Sequence, residues 1–520
     1  MADIVLINPR FEPSFWGLEY ALPLLGKRAT LPVAALPLLA ALTPAGHSVT
    51  LIDENVEAID YTRVARADVV GLTGMVVQRA RMREILTELK ARDVFTAVRG
   101  PWVSVRADYF GDLADAVFVG EAEQTWPQFL GDWARGRHRR RYEQAERTDM
   151  ATVPTPRFDL LKMGHYAFGS VQFSRGCPFQ CEFCDIIVTF GRRPRLKTVP
   201  QVIAELDALR ARGIDTAFIV DDNLIGNKRA VKGLLHALVA YQESRGYPFE
   251  FFTEASLDLA EDGELLGLMV DAGITSVFVG IESPNEASLR ETKKFQNVRP
   301  GGTLLERVRR IQGAGLEVWC GMILGFDNDD PSVFDAQLAF ITEARIVSAM
   351  VGMLSAIPNT PLYGRLEREG RLDPADEPAC GTNVIPRRMG REELRDGYVR
   401  VLNELYAPEA YFGRLENLYL KGRLAYGKGQ AQHWRRHPWR WLKDQARNVV
   451  SAAVLFGRLM REVPEAGLRR EYRRRLGRLL RARPDPNVVL DYLVKCAMHY
   501  HHHTLAGQMA SGRSRVCNSF

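Results

Sequence analysis

Apolar residues along the first 140 positions occur in short β-branched runs, separated by stretches with helical periodicity. The runs predict five strands: Ile4–Ile7, Val49–Asp53, Val69–Thr73, Thr96–Val98 and Ala116–Val119. Turn or polar residues follow each run. Strands that alternate with helices are typical of a doubly wound α/β domain, whose ligand lies at the carboxyl ends of the strands. We therefore expect residues 1–140 to form such a domain.

The pattern changes after residue 140. Residues 141–168 are polar and include Val153-Pro154-Thr155-Pro156, so they predict an extended linker. Residues 169–365 then repeat a strand followed by a helix about six times. The predicted strands are 169–174, 216–221, 249–254, 276–281, 317–324 and 347–357. This repeat indicates a (β/α)6 partial TIM barrel with its chemistry at the carboxyl ends of the strands.

Residues 366–520 show mainly helical patterns and a strong excess of arginine. Trp434, Trp439 and Trp441 lie among basic residues, which allows three interpretations. Basic amphipathic helices bind anionic membrane surfaces, basic faces bind nucleic acid, and most arginine-rich helices are simply solvated. We favour contact with a membrane surface or lipid substrate over the solvated face, and place nucleic acid last. The tail from Leu505 is expected to be loose.

Composition limits the class of protein. The chain has 520 residues, of which 46% are hydrophobic and 25% charged, and a net charge of +6. These values indicate a globular protein of three or four domains. The apolar run Leu31–Leu42 is too short to span a bilayer, and Met1 leads directly into a strand rather than a signal peptide. We expect a cytoplasmic protein, with peripheral contact at the inner face of the membrane as an alternative.

Three of the seven cysteines form the pattern C-x3-C-x2-C: Cys177, Cys181 and Cys184. Three thiolates on one tight loop can hold three corners of a [4Fe–4S] cluster and leave the fourth iron open. The alternatives are a zinc knuckle or unrelated core thiols. Zinc takes four ligands, and no fourth Cys or His lies nearby. The other cysteines suggest neither a second cluster nor a disulfide framework, so we expect one cluster in a reducing compartment.

This spacing, with Phe183 before the last cysteine, resembles the signature of the radical S-adenosylmethionine (SAM) superfamily. The resemblance implies that SAM binds the open iron and is cleaved to a 5′-deoxyadenosyl radical. It also implies SAM contacts at polar residues and glycines near the strand ends. These are Asp221, Asp222, Asn223, Glu254, Ser256, Glu282, Gly321 and Gly325. The alternative for each acidic residue alone is a solvated loop charge.

The N-terminal domain resembles the cobalamin-binding domain found in many radical SAM enzymes. The resemblance implies cobalamin contacts at Thr73, Gly74, Gly100, Gly120 and Glu121. The usual D-x-H-x-x-G motif is absent, so no protein histidine is expected to bind cobalt from below. Arg99-Gly100 also stands where the family usually has Gly-Gly. The alternative is a degenerate domain that only packs or dimerises.

The whole chain resembles the branch that contains the hopanoid C-2 methylases. The resemblance includes Asp53-Glu54-Asn55, Val119-Gly120-Glu121, Cys181–Ile186, Pro194–Thr198 and Val220–Asn223. It covers roughly residues 1–420 and weakens in the C-terminal segment, where substrate specificity is expected to diverge.

The resemblance implies a methyltransferase that acts on an unactivated carbon of a small molecule or lipid, a hopanoid included. It would use methylcobalamin and a 5′-deoxyadenosyl radical, with electrons from a reductase or flavodoxin-type donor. We considered three alternatives: a cobalamin-dependent rearrangement, cyclisation or oxidation, a radical SAM enzyme without cobalamin, and an iron–sulfur sensor. The sequence identifies no catalytic acid or base; Tyr20 is a guess.

Overall fold

The computed structural model describes residues 1–421 and 428–518. Its first sheet has the strand order β2-β1-β3-β4-β5-β6, and all neighbouring strands are parallel. The strands are β1 (Asp3–Asn8), β2 (Ser48–Asp53), β3 (Val69–Thr73), β4 (Thr96–Arg99), β5 (Ala116–Val119) and β6 (Arg141–Glu143). The first five lie where the sequence predicts them. The order reverses between β1 and β3, which is the ligand-binding position of this architecture.

Helices cover both faces of this sheet. They are α2 (Ala35–Leu42), α3 (Tyr61–Val64), α4 (Arg79–Lys90), α5 (Pro101–Val105) and α6 (Thr125–Ala134). The short helix α1 (Leu22–Leu25) packs instead in the core shared by the barrel and the C-terminal helices. One core contains Met82, Ile85 and Leu86 of α4. The opposite core contains Trp126 and Phe129 of α6. Burial on both faces explains why the strands are nearly continuous apolar runs.

The segment 141–168 is more ordered than the predicted linker. Its first residues form β6, which pairs with β5 through Phe118 and Tyr142. Three short 3-10 helices follow, at Met150–Thr152, Phe158–Leu160 and Met163–His165. The strand is only three residues long, so its apolar alternation was too short to distinguish from a loop.

The second sheet has the order β14-β13-β12-β11-β10-β7, also parallel throughout. Its strands are β7 (Gly169–Val171), β10 (Thr216–Ile219), β11 (Glu250–Glu254), β12 (Ile274–Glu282), β13 (Glu317–Leu324) and β14 (Ala349–Met353). The short strands β8 (Ser174–Arg175) and β9 (Arg195–Leu196) form an antiparallel pair. Six parallel strands in chain order confirm the predicted barrel-type repeat.

Helices alternate with these strands. They are α7 (Ile186–Thr189), α8 (Val199–Arg210), α9 (Lys228–Arg245), α10 (Gly263–Asp271), α11 (Glu286–Glu291), α12 (Leu304–Ala314) and α13 (Ser332–Glu343). Their starts follow ordinary capping rules. Thr198 and Gln201 form a capping box at α8, and Thr303 and Glu306 form another at α12.

The C-terminal part is helical, as predicted. Its helices are α14 (Pro361–Arg368), α15 (Arg391–Leu405), α16 (Pro408–Glu416), α17 (Lys428–Arg436), α18 (Pro438–Glu462), α19 (Ala466–Ala482) and α20 (Pro486–Ala510), with a π-helical turn at Asn417–Lys421. The boundary expected after residue 365 falls inside α14. In the described ranges, no helix is long and apolar enough to cross a membrane.

Helix α20 packs against the N-terminal loop that precedes α1. His501 Nε2 donates to Ser14 O at 2.8 Å, and His502 Nε2 lies 3.3 Å from Phe15 O. The helix continues to Ala510, and Asn518 bonds the backbone of Met353 in β14. The expectation of a loose tail from Leu505 was therefore wrong for the residues up to 518. The helix and the hydrogen bonds between the Asn518 side chain and the Met353 backbone hold this segment in place.

Candidate active site

The cysteine loop, residues 176–185, follows β8 at the carboxyl end of the barrel sheet. Cys177 N donates to Gly191 O at 3.1 Å, and Cys184 N donates to Cys181 O at 3.2 Å. Gly176 has φ 99°, and a Cβ there would lie 2.8 Å from Gly191 O. Only glycine permits this turn without displacing backbone, so the glycine before the first cysteine fixes the start of the loop.

Two aspartates that follow β10 form hydrogen bonds with residues at and just before the start of the cysteine loop. Asp221 accepts hydrogen bonds from Phe173 N at 2.8 Å and from Ser174 Oγ at 2.6 Å. Asp222 accepts one from Gly176 N at 2.6 Å. Burial raises the pKa of Asp221 to about 7 and that of Asp222 to about 6, although these hydrogen bonds lower both. The carboxylates expected to contact SAM therefore bind the backbone that presents the cysteines.

Amide side chains point at two of the sulfurs. Asn223 Nδ2 lies 3.9 Å from Cys177 Sγ, and its Oδ1 accepts from Ser256 N at 3.1 Å. Gln296 Nε2 donates to Cys181 Sγ at 3.5 Å. N–H donors around cluster thiolates stabilise their negative charge and tune the potential. Asn223 and Ser256, two predicted SAM contacts, are thus brought together beside the first cysteine.

A buried ion pair lies next to the same loop. Lys294 Nζ donates to Glu282 Oε1 at 2.6 Å, and Glu282 ends β12 with a positive φ of 69°. Burial alone would lower the pKa of Lys294, but the carboxylate of Glu282 and the thiol of Cys181 raise it overall. Strained backbone of this kind is concentrated at functional sites. The ammonium group offsets negative charge at the cysteine loop.

The donor set fits an iron–sulfur cube. In the described part of the chain, no group of three or more His, Cys, Asp or Glu side chains is arranged to hold a single metal ion. A cube takes each thiolate at a different iron corner. Cys177, Cys181 and Cys184 can supply three such thiolates, and amide donors lie beside two of the sulfurs. The four remaining cysteines are also free thiols.

An ion network joins the N-terminal domain to the cysteine loop. Arg175 lies 3.0 Å from Glu121 and 2.6 Å from Glu123, and Arg195 lies 2.8 Å from Glu121. Glu121 also accepts from Thr148 N at 2.7 Å. Burial alone would raise the pKa of Glu121, but these arginines hold it below its usual range. Glu121, expected at the cobalamin, is therefore bound to the strand pair that leads into the cysteines.

The loops after β3 and β4 approach each other closely. Gly100 has φ 117°, and a Cβ there would lie 2.4 Å from Gly74 O. Gly74 N donates to Arg99 O at 3.3 Å, and Thr73 is buried. Gly120 N, after β5, donates to Ser104 Oγ at 3.0 Å. The predicted cobalamin glycines therefore share one edge of the first sheet.

This edge fits a large, flat cofactor. Met75, Val76 and Val77 are 49%, 37% and 47% exposed, and all three face a cavity rather than the core. Arg99 Nε is buried without a hydrogen-bond partner among the described residues, which leaves a donor for a ligand. The domain's two histidines lie elsewhere: His47 accepts from Ala2 N, and His138 packs on Phe95.

The central cavity has a volume of about 1760 Å³ and is bounded by all three parts of the chain. Its barrel wall is aromatic. Phe218 stacks on Phe252 with ring centroids 4.8 Å apart, and Trp319 lies 5.7 Å from Phe252. Met498 and Leu505 of α20 line the C-terminal wall. Aromatic and aliphatic side chains thus form much of the cavity wall.

Glu254, at the end of β11, lines this cavity. Burial, together with the neighbouring charges of Asp222 and Asp221, raises its pKa to about 8. The two glycines expected at SAM are packed by side chains: a Cβ at Gly321 would lie 2.9 Å from Phe278, and one at Gly325 would lie 2.8 Å from Leu394. Glu254 is the predicted SAM residue with the most open access to the cavity.

Sequence reasoning missed several side chains at this site. They are Arg175, Arg195, Lys294 and Gln296. Gln296 donates directly to Cys181, Arg175 and Arg195 pair with Glu121, and Lys294 pairs with Glu282. Tyr20, considered as a catalytic group, donates from its hydroxyl to Gln508 at 2.7 Å and packs near His501. Its contacts hold the N-terminal loop against α20.

Comparison with known proteins matches this geometry. The model of the radical SAM superfamily matches residues 171–337, and a domain of unknown function, DUF4070, matches residues 360–515. The hopanoid C-2 methylase of Rhodopseudomonas palustris is 33% identical over 90% of this chain and 87% of its own. The chain belongs to the cobalamin-dependent radical SAM methylases. The predicted family and enzyme class are thereby confirmed.

A second relative and one solved structure are also similar to this chain. An uncharacterized methyltransferase of Synechocystis sp. is 43% identical over 80% of this chain and 78% of its own. The structure of the radical SAM methyltransferase TsrM from Kitasatospora setae, with cobalamin and a [4Fe–4S] cluster bound, has a TM-score of 0.59. It covers 76% of this chain and 82% of its own at 18% identity, so it supports the fold. The cofactors predicted from the sequence are those of this family.

Proposed function

We propose that this methylase transfers a methyl group to an unactivated carbon of a large apolar small molecule or lipid. The observation that carries the proposal is the central cavity of about 1760 Å³, which is lined by aromatic residues, by Met75–Val77 after β3 and by Glu254 at the end of β11. A hopanoid, the substrate named for the relative from Rhodopseudomonas palustris, has the apolar polycyclic character that such a wall favours. A substrate that fills this cavity would displace water, which protects a carbon radical from quenching.

We assign Cys177, Cys181 and Cys184 as the ligands of one [4Fe–4S] cluster. With SAM bound, the cluster supplies the electron that generates a 5′-deoxyadenosyl radical. Lys294 and the amides of Asn223 and Gln296 then serve to balance charge at the thiolates. Asp221 and Asp222 act as positioning residues, because their carboxylates hold the backbone of the loop.

For SAM we propose direct contact with Glu254, Ser256 and Glu282, beside the loop. Glu254 is open to the cavity and its carboxylate would attract a cationic group. Ser256 donates to Asp258 at 2.5 Å, which orients its hydroxyl. Gly321 and Gly325 keep β13 close to its neighbours, since larger residues would displace Phe278 or Leu394.

For cobalamin we propose the edge formed by Thr73, Gly74, Gly100 and Gly120, with the exposed apolar residues after β3 against the ring. Bound cobalamin carries the methyl group that the substrate receives. Glu121 holds Arg175 and Arg195 and so fixes this edge relative to the cysteine loop.

We propose that electrons enter at the outer face of the cysteine loop. A second cavity of about 430 Å³ lies there, and its lining includes Phe179, Arg192, Lys228, Lys293, Phe295 and Arg299 together with Asp258, which pairs with Lys228 at 2.9 Å. Arg299 lies 5.7 Å from the ring of Phe179, and Phe295 is 45% exposed. Basic side chains around an apolar centre complement the acidic surface of a flavodoxin-type donor.

The substrate class is tested with anaerobically reconstituted protein, methyl-labelled SAM and a panel of hopanoids and other polycyclic lipids. Label in an extracted lipid supports the proposal, and the position of the label identifies the carbon. Turnover of SAM to 5′-deoxyadenosine with an altered but unlabelled lipid would instead select the rearrangement, cyclisation or oxidation alternative. Label only in a polar acceptor would contradict the apolar substrate.

A further inference from the structure

Helix α18 has an exposed apolar face, defined by Trp439, Leu442, Val449, Val450 and Val454. These side chains are 83%, 49%, 53%, 62% and 50% exposed. Residues on the opposite side of the helix, Gln445, Ala452, Leu455 and Leu459, are buried and pack towards α20. At 3.6 residues per turn the two sets lie on opposite sides. The face runs from Trp439 to Val454 of this 25-residue helix, so it extends about 22 Å.

Basic residues border this face. Arg440, Lys443 and Arg447 follow one another at i, i+3 and i+7, which places them in a row along one edge. Arg447 pairs with Asp444 at 2.8 Å. Arg440 and Lys443 are exposed and have no carboxylate within ion-pair distance among residues 1–421 and 428–518. The row therefore carries net positive charge beside an apolar surface.

Helix α19 extends the basic border. Arg473 Nη2 lies 3.9 Å from Met460 Sδ, which places Arg473 next to α18. Its neighbours on the exposed side of α19 are also arginines, namely Arg470, Arg478 and Arg481. The outer face of a helix exposed only to water is usually polar. A contiguous exposed apolar face with basic residues at its edge is typical of an interaction site.

We propose that α18 docks on an anionic lipid bilayer, with its exposed apolar face in the interface and its basic border at the headgroups. Amphipathic helices with Trp and aliphatic residues on one face and Lys or Arg beside them bind membranes in this way. Each basic residue near an anionic surface strengthens this attraction. A second copy of this chain fits less well, because a twofold contact would bring Arg440 and Lys443 against like charges.

The docking helix lies close to the central cavity. Gln430 of α17 and Glu250 of β11 line the cavity, and α17 directly precedes α18. Asp444 and Arg447 of α18 are near enough to Glu250 to act on its carboxyl group. Membrane docking would therefore bring a bilayer beside one end of the cavity. The docking proposal does not depend on methyl transfer, since it concerns an outer surface.

The proposal is tested by flotation of the full chain with vesicles of phosphatidylcholine alone or with phosphatidylglycerol. We expect binding to the anionic vesicles, weakened by salt. The apolar-face variant W439S/V450S/V454S and the charge variant R440E/K443E should each bind at least about tenfold less tightly. The matched control R137E/R139E changes the net charge equally on the N-terminal domain and should bind normally.

Any of four results would overturn the proposal. The first is wild-type protein that does not float with anionic vesicles at low salt, and the second is variants that float as well as the wild type. The third is a dimer in solution that W439S/V450S/V454S converts to a monomer, which would make a second copy the occupant of the face. In the fourth, the wild type binds duplex DNA as tightly as it binds anionic vesicles, and only R440E/K443E loses both kinds of binding. This result would show a non-specific basic surface and would also overturn the proposal.

Discussion

Asp222 Oδ2 accepts a hydrogen bond from Gly176 N at 2.6 Å, so the acidic segment after β10 is attached to the start of the cysteine loop. The adjacent Asp221 accepts hydrogen bonds from Phe173 N and Ser174 Oγ, which lie just before this glycine. Together the two carboxylates fix the backbone of residues 173–176. The geometry of the cluster ligands therefore depends on side chains of the next strand.

We expect Asp222→Ala to lower the iron content after reconstitution and the thermal midpoint of the apo-protein. A hydrogen bond to a charged group contributes about 1.5–3 kcal/mol. Asp222→Asn keeps an acceptor oxygen and is the matched control, with a smaller effect on both. If Asp222→Ala changed only the affinity for SAM and left iron content and midpoint unchanged, the carboxylate would bind SAM directly.

Lys294→Met should destabilise the protein by about 3–5 kcal/mol, because it leaves the carboxylate of Glu282 buried without its cation. The matched control is Arg290→Met, which breaks the exposed pair with Glu286 on α11 and should cost less than about 1 kcal/mol. Thermal unfolding of both variants measures the difference. Equal shifts in the two variants would show that Lys294 does not stabilise a buried charge.

Glu254 gives a pH dependence with a defined sign. Its pKa rises from the usual 4.5 to about 8 in the folded protein. Between these values the folded state binds more protons than the unfolded state, so this group makes stability fall as the pH rises through the window. The thermal midpoint of Glu254→Gln should fall less steeply between pH 4.5 and 8.

The same group should affect SAM binding. The carboxylate forms as the pH passes through about 8, so the affinity of the reconstituted wild type for SAM should increase across this range. The affinity of Glu254→Gln should not change there. A wild-type affinity that is flat with pH while the stability profile shifts as expected would place Glu254 away from SAM.

The variant R192E/R299E should be reduced more slowly by an acidic flavoprotein donor, by about tenfold or more, because opposite charges steer association. Its reduction by dithionite should be unchanged. The control R63E/R66E makes the same change of charge on the N-terminal domain and should behave as the wild type. Equal slowing of both variants would show that the outer face of the cysteine loop is not the docking site.

Local patterns in the sequence were sufficient to predict the two sheets and the cysteine loop. Buried parallel strands are apolar runs of four to six residues, and Cys177, Cys181 and Cys184 are close together in the chain. The strand β6 was missed because only Tyr142 of its three residues is buried. The sequence also predicted a loose tail, since it could not show that Asn518 bonds Met353.

Contacts between distant segments could not be predicted. Arg175 and Glu121 are 54 positions apart, and Gln296 and Cys181 are 115 apart. Nothing in the spacing of these residues indicates that they meet. The acidic residues after the strands were placed at the correct edge, but the direction of each side chain depends on its local partners. For this reason the sequence could not predict the hydrogen bonds of Asp221, Asp222 and Glu121, and their roles at SAM and cobalamin stay predictions.

The most direct test uses anaerobic reconstitution with iron, sulfide and hydroxocobalamin, removal of unbound cofactor, and then methyl-labelled SAM with dithionite. The account predicts retained corrin and the formation of both 5′-deoxyadenosine and S-adenosylhomocysteine, with no 5′-deoxyadenosine from Cys181→Ala. Full SAM cleavage by Cys181→Ala, or wild-type protein that forms 5′-deoxyadenosine but retains no corrin and forms no S-adenosylhomocysteine, would contradict it.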